Sequence, residues 1–442
     1  MVAMTFFGRK YSNLLIATAS VGAVFVGGIE AAQATTYYVS ALTGNDHNAG
    51  KSTTAPFKTI GAVTNSNHFA SGDIVVVMPG IYNENVTLSV AGKAGAYTTL
   101  MAQAGAARPV IIGGPSLPSG GNGGTIGIFA PYTRVVGFDA SWQGTTGDAI
   151  TVWGETAKQK GVVRPAVHHI DIENNVAHDS GCGGIDVVNA DYVTVIGNTV
   201  YNNAFTSPNQ CSGISLYHLT DFDSGTGFRN TVAGNMAFAN FDGVSVPGTT
   251  YTTDGNGIII DDSRHTQSDN AAYHGATLVY GNVVFGNGGV GVQVFSSDNV
   301  TVANNTAFEN QQSTTTEGGA PGELRSQNSG TITFVNNIAT SAKSTQPTGV
   351  EQTTSGDSWS YNIMSGGNYS FTGDNKLTFA HNMTNTAPNF LEATIVASLE
   401  NFGLAAGSPA LKAGVALSYS APDITGTMLA SGTKPNIGAY TH

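Results

Sequence analysis

A six-residue unit recurs six times between residues 172 and 339: an apolar residue, any residue, Asn or Gly, an invariant Asn, any residue, then Val or Ala. The copies begin at Ile172, Val195, Val232, Val279, Val302 and Phe334, and their invariant residues are Asn175, Asn198, Asn235, Asn282, Asn305 and Asn337. Starts lie 23, 37, 47, 23 and 32 residues apart. A base period near 23 with longer gaps predicts one structural coil per copy, with insertions looping out between coils. The invariant Asn belongs to structure: it tolerates the left-handed conformation of a tight turn, and stacked Asn side chains can bond as a ladder.

The 442-residue chain opens with Arg9 and Lys10, an apolar stretch from Leu14 to Val26 and the small-residue triplet Ala32-Gln33-Ala34, the pattern of a cleavable secretory signal. No later stretch reaches the eighteen or so apolar residues needed to span a bilayer, so the mature chain from Thr35 is expected free in the periplasm or outside the cell, without membrane insertion. Losing the leader moves the formal charge from −12 to −13, with 15 Lys and Arg left, which argues against nucleic acid as a partner. Only 10% of residues are charged and 57 are Gly, a composition that also fits disorder. The repeats, with short β-branched runs between Asn and Gly clusters, favour stacked strands.

Cys182 and Cys211 stand in matching contexts, Cys182-Gly183-Gly184-Ile185 and Cys211-Ser212-Gly213-Ile214, and so occupy one position in successive coils. Export permits a bridge, and strands about 4.8 Å apart permit its Cα separation, although in-register neighbours hold their Cβ atoms slightly wide for relaxed geometry.

Residues 35–110 read as an N-terminal cap and first coils, 125–385 as central coils and 386–442 as a closing segment of one domain. The cap carries Tyr37-Tyr38-Val39-Ser40, Gly44-Asn45-Asp46, Pro56-Phe57-Lys58-Thr59-Ile60, Gly72-Asp73-Ile74-Val75-Val76-Val77 and Pro79-Gly80-Ile81-Tyr82. The tail carries Ala406-Gly407-Ser408-Pro409-Ala410 and Asn436-Ile437-Gly438-Ala439-Tyr440. With the central repeats, these segments resemble the pectate-lyase-like right-handed parallel β-helix superfamily, including polysaccharide lyase family nine. The resemblance implies an all-β solenoid. For substrate it implies less, because that superfamily hosts lyases, hydrolases, epimerases and adhesins.

The repeat supplies a register. Eleven residues before a copy there is usually a second strand, as in Gly184–Val188, Gly291–Phe295 and Glu323–Gln327, and by pattern Ala149–Trp153, Gly213–Tyr217 and Gly257–Asp261 join them. Alternation then points Ile150, Val152, Ile185, Val187, Ile214, Leu216, Ile258, Ile260, Val292, Val294 and Leu324 inward, with Ser326 the one poor fit. One outward line reads Thr151, Asp186, Ser215, Ile259, Gln293, Arg325; the other reads Trp153, Val188, Tyr217, Asp261, Phe295, Gln327. Aromatics, carboxylates, amide and guanidinium on one face suit an extended saccharide, with Trp153, Asp186, His218, Gln293 and Phe295 as binding residues. Alternatively the aromatics pack under the loops at 217–231, 240–256 and 263–276, which are expected to wall one side of the groove.

The densest cluster of functional groups runs from Tyr251 to His265. Asp254, Asp261 and Asp262 can hold Ca²⁺ through oxygen ligands, or Asp261 and Asp262 can simply end a strand and cap the next turn. The resemblance implies β-elimination on a uronic-acid polysaccharide, with Arg264 or Arg325 neutralising the sugar carboxylate and His265 or Tyr217 as base. Departures are clear: residues 172–342 hold no Lys to match the family-nine base, the larger Asp-rich calcium motif is absent, and so is the Asp-Pro-His-Glu motif of alginate epimerases. Asp254 with Asp261-Asp262 resembles the three aspartates of polygalacturonases, but without their accompanying segments. His168-His169 read as turn residues. The expectation is a secreted, monomeric enzyme, a lyase or else a glycoside hydrolase using Asp261 or Asp262 as acid and Asp254 or Asp186 as base, with a carbohydrate-binding β-helix as the third possibility.

Overall fold

The computed structural model describes residues 34–115, 123–154, 166–314, 322–372, 376–396, 401–430 and 432–442. The expected secretory leader, up to residue 33, lies outside them. Among the described residues, strands stack into three long parallel sheets of 12, 10 and 11 strands, with one short helix, Gly61–Thr64. Each turn of the chain contributes one strand to each sheet, and apolar side chains from all three fill a continuous central column. No coil can bury its apolar face alone, so stacking is the stabilising step. Among the described residues no helix is long and apolar enough to cross a membrane.

The hexapeptide is the corner between two sheets. Its third residue, not the invariant Asn, takes the left-handed conformation: φ is 53° at Asn174, 68° at Gly197, 60° at Gly234, 64° at Gly281, 55° at Asn304 and 57° at Asn336. Only Gly or Asn tolerates that conformation cheaply, which explains the Asn-or-Gly position. The invariant Asn forms the ladder. From Asn175 through Asn337 and on to Asn362 and Asn382, each Nδ2 donates to the next Oδ1 at 2.9–3.1 Å. A second ladder runs five residues further on, Asn203, Asn240, Asn287 and Asn310, and ends on the Glu323 carboxylate.

The ten-stranded sheet carries the register counted from the repeat. Ile150, Ile185, Ile214, Ile258, Val292 and Leu324 are mutually paired, as are Thr151, Asp186, Ser215, Ile259, Gln293 and Arg325. The third line, Trp153, Val188, Tyr217, Asp261, Phe295 and Gln327, continues to Gln352. All the residues expected inward are fully buried; Ser326 is too, and its hydroxyl finds no partner among the described residues.

Cys182 and Cys211 form a disulfide between successive coils, with Cα atoms 5.2 Å apart. Past residue 386 the chain leaves the column. A hairpin of Phe390–Glu392 and Asn401–Leu404 lays Phe402 against Phe285 and Phe308 at ring separations of 5.2 and 5.3 Å. Gly438 N–H then donates to Asn336 O at 2.8 Å, tying the tail to the side of the solenoid.

Candidate active-site groove

The outward face of the ten-stranded sheet forms the floor of a groove of about 930 Å³. Strands placed by the core present Asp186, Ser215, Tyr217, Asp261, Gln293, Phe295 and Arg325 to it, and Trp153 stands at one end. Its walls come from loops at both edges. Val246, Thr253 and Asp254 precede the Ile258–Asp261 strand while Gln267 follows it, and the two ends of a strand open on opposite rims. The expected single wall is therefore two. The loop after Tyr217 is not part of either wall: Phe222 stacks on His168 at 3.5 Å, and Asp191 fixes it through Arg229 and the Phe222 N–H.

The expected chemical cluster separates into two groups on either side of one turn. Asp254, Asp261, Arg325 and Tyr217 face the groove, as do Trp153, Asp186, Gln293 and Phe295. Asp262, Arg264, His265 and His218 do not. The strand ends at Asp261, and Asp262 takes φ 43°, which turns its side chain off the groove face. The Asp262 carboxylate accepts from Thr266 N–H at 2.8 Å, Thr266 Oγ1 at 2.6 Å and Gln267 N–H at 2.9 Å, and pairs with His218 Nε2 at 2.8 Å. Burial presses this carboxyl upward, but those donors outweigh it and hold it below the usual carboxylate range. It caps a turn. His265 is buried with Nε2 on the Leu219 carbonyl at 2.9 Å, out of reach of a substrate proton. Arg264 is bound through two nitrogens to Asp298, at 2.5 and 2.9 Å, so its charge is already matched. His168 and His169 lie at the start of the Val167–Glu173 strand and not in the turn expected for them; His168 is buried, and their Nδ1 atoms are 2.7 Å apart.

The expected calcium trio is thus incomplete, and among the described residues no three His, Cys, Asp or Glu side chains gather as a metal-ligand set. Asp254 and Asp261 without Asp262 do not fit Ca²⁺, which takes six to eight oxygen ligands.

The carboxylates left in the groove are perturbed upward. Burial, then the charges of Asp254, Asp262 and Asp186, hold Asp261 well above its ordinary value, all pushing one way. Burial lifts Asp254 to about 7 against the Asn256 amide and the Arg325 charge. Burial lifts Asp186 to about 6 against bonds from Ser215 and the Val187 N–H. Two further carboxylates were not singled out from sequence. Asp148 accepts from Gly183 N–H at 2.7 Å and is raised by burial and by Asp186. Asp242 accepts from Cys211 N–H at 2.9 Å and Asp254 N–H at 3.0 Å, and burial with the Asp254 charge lifts it to about 8. Asp148 directly precedes the Ala149–Trp153 run, so the register could have found it; Asp242 comes from an irregular insertion that offers no such signal. Tyr217 is pushed up to about 12 by burial and the neighbouring aspartates, which removes it as a base at neutral pH. Gln293 Oε1 is buried and finds no donor among the described residues, leaving it for a ligand hydroxyl.

No protein-family model and no curated protein matches this chain. Among solved structures it is similar to the pectate lyase Pel9A, at 18% identity and a TM-score of 0.52, covering 92% of this chain and 96% of that one. It is also similar to XylC, solved with xylose, at 13% identity and a TM-score of 0.51, covering 76% and 70%. These likenesses concern the fold. The chain has the fold of a right-handed parallel β-helix.

Proposed function

We propose that this protein is an exported glycoside hydrolase, with Asp261 as the proton donor and Asp186 as the ionised carboxylate. The supporting observation is the set of half-buried, mutually repelling carboxyls on the groove floor, with neither Lys nor His among its described lining residues. Hydrolysis needs one carboxyl that keeps its proton and one that loses it, and environments that push two carboxyls apart create that pair. Asp261, held well above its ordinary value, would give its proton to the glycosidic oxygen as the carbon–oxygen bond breaks. Asp186, held lower by Ser215 and Val187, would take a proton from the attacking water or itself attack the anomeric carbon, the separation of the two carboxyls deciding which. The fold is shared with structures named for a pectate lyase and for a protein bound to xylose, which agrees with a saccharide substrate.

Arg325 favours a second reading. As the cation among the groove's described lining residues it could neutralise a uronate carboxylate and support β-elimination, the lyase expectation. The bases proposed for that route are missing: His265 is turned away and Tyr217 holds its proton. The chemistry of the product separates the two. Hydrolysis yields new reducing ends without ultraviolet absorbance; elimination yields an unsaturated, absorbing sugar, and polyuronates assayed with and without Ca²⁺ cover that case.

A further inference from the structure

Trp153, Tyr217 and Phe295 occupy one line across the groove floor, on alternate coils, and the paired residues between them are Val188 and Asp261. Their spacing is therefore roughly 10 Å, twice the strand separation of about 4.8 Å. A pyranose chain extended through β-1,4 bonds advances by about one strand separation per sugar, and in a two-fold ribbon every second ring presents the same face. Aromatic rings bind sugars by those faces, whose C–H groups are apolar.

From this register we infer that the groove binds a neutral, extended β-1,4-linked polysaccharide along the solenoid axis and that cleavage is internal to the chain. The inference rests on the hydrolase reading for the cleavage step and on the line of rings for binding. Every second sugar lies on an aromatic ring. Asp261 stands between Tyr217 and Phe295, so sugars are held on both sides of the proton donor. Beyond Phe295 the line continues as Gln327 and Gln352, amides suited to sugar hydroxyls, and Arg325 Nη2 donates to Gln352 Oε1 at 2.9 Å. Neutrality follows from charge: a floor carrying Asp148, Asp186, Asp254 and Asp261 repels a polyanion whenever any of them is ionised.

Of the chain's three tryptophans, Trp142 and Trp359 are buried and Trp153 is partly exposed at the groove, so intrinsic fluorescence reports on the site. The full mature chain carrying Asp261→Asn is titrated with cello-, xylo- and manno-oligosaccharides of graded length and with oligogalacturonate. In at least one neutral series, affinity is expected to rise steeply with length while the tryptophan emission changes. Trp153→Ala in the same background should lower affinity for the longest oligosaccharide roughly tenfold and leave the shortest unchanged. Trp153→Phe should keep the affinity and lose the fluorescence change, which separates loss of a ring face from misfolding. Affinity independent of length in every neutral series, oligogalacturonate binding as tightly as the neutral chains, or an unaltered Trp153→Ala variant would overturn the inference. Length-dependent neutral binding by a parent enzyme that releases no reducing ends would leave the binding platform standing and overturn the hydrolase reading instead, together with internal cleavage.

Discussion

The His218 ring lies 3.6 Å from the ring of Tyr217, 21° from parallel, and so backs the aromatic face that Tyr217 turns to the groove. His218 is in turn fixed by Asp262 at 2.8 Å. The residues that left the groove are its supports. His218→Ala should raise KM more than it lowers kcat, because Tyr217 loses its backing while the carboxyls stay in place. It should also cost about 1–3 kcal/mol, since Asp262 loses a buried partner. A kcat loss at unchanged KM would contradict this role.

The hydrolase reading fixes the shape of the pH profile. Activity should rise as Asp186 ionises, near the value of about 6 to which burial lifts it, and fall once Asp261 loses its proton at higher pH. Asp254 is one of the charges that raise Asp261, so Asp254→Asn should move the alkaline limb to lower pH and leave the acid limb where it is. An alkaline limb that stays put would show that Asp261 is not the group titrating there.

Stability should fall as pH rises from 6.5 towards 9. Asp242 and Asp254 have folded values of about 8 and about 7, above the unfolded 3.8, so the folded chain binds more protons and its advantage is lost as pH climbs through those values. His178 acts in the same direction: burial opposes its charge, but Asp139 and Asp179 raise it to about 9, and the stabilisation present below 6.5 disappears above that. His168, lowered to about 4 chiefly by burial, costs stability only below 6.5 and so stays out of this window. Tm measured by calorimetry should drop across the window, with a shallower slope in Asp254→Asn. A flat or rising Tm would contradict the assignment.

The disulfide braces both ends of the acidic floor. Cys182 precedes Gly183, whose N–H holds Asp148, and Cys211 N–H holds Asp242, which in turn accepts the Asp254 N–H. Replacing both cysteines by Ser should cost roughly 3–4 kcal/mol by the loop-closure relation for a separation of 29 residues. Denaturant unfolding of the variant against the parent checks it, and equal midpoints would count against the brace.

In the Asn ladder, Asn282 donates to Asn305 Oδ1 and Val232 O at 2.9 Å and accepts from Asn235, all in a fully buried position. Asn282→Ala strands several of these groups at once and should destabilise by about 3 kcal/mol or more. A loss below about 1 kcal/mol would mean that water replaces the ladder at that coil.

The solenoid was legible because the Asn corner is periodic and the period fixes which residues of the next sheet alternate outward. Asp186, Tyr217, Asp261, Gln293, Phe295 and Arg325 reach the groove by that count alone. Legibility stops where the strand stops. Asp261 and Asp262 are adjacent and chemically identical, yet one backbone angle at Asp262 sends it, with Arg264 and His265, into a capped turn. Periodicity has nothing to say about a turn. The second ladder was equally visible, as Asn203, Asn240, Asn287 and Asn310 each follow an invariant Asn by five residues. Asp242 comes instead from an insertion, where no repeat sets the register.

Asp261 acts in this proposal as the proton donor of a hydrolysis. The most direct test is turnover of β-1,4-linked polysaccharides by the parent and by Asp261→Asn, reading reducing ends and ultraviolet absorbance together. Reducing ends without absorbance are expected, with a kcat lower by roughly 10²–10⁴ in the variant, the usual worth of a general acid. An absorbing, unsaturated product from the parent, or an Asp261→Asn variant as fast as the parent, would contradict it.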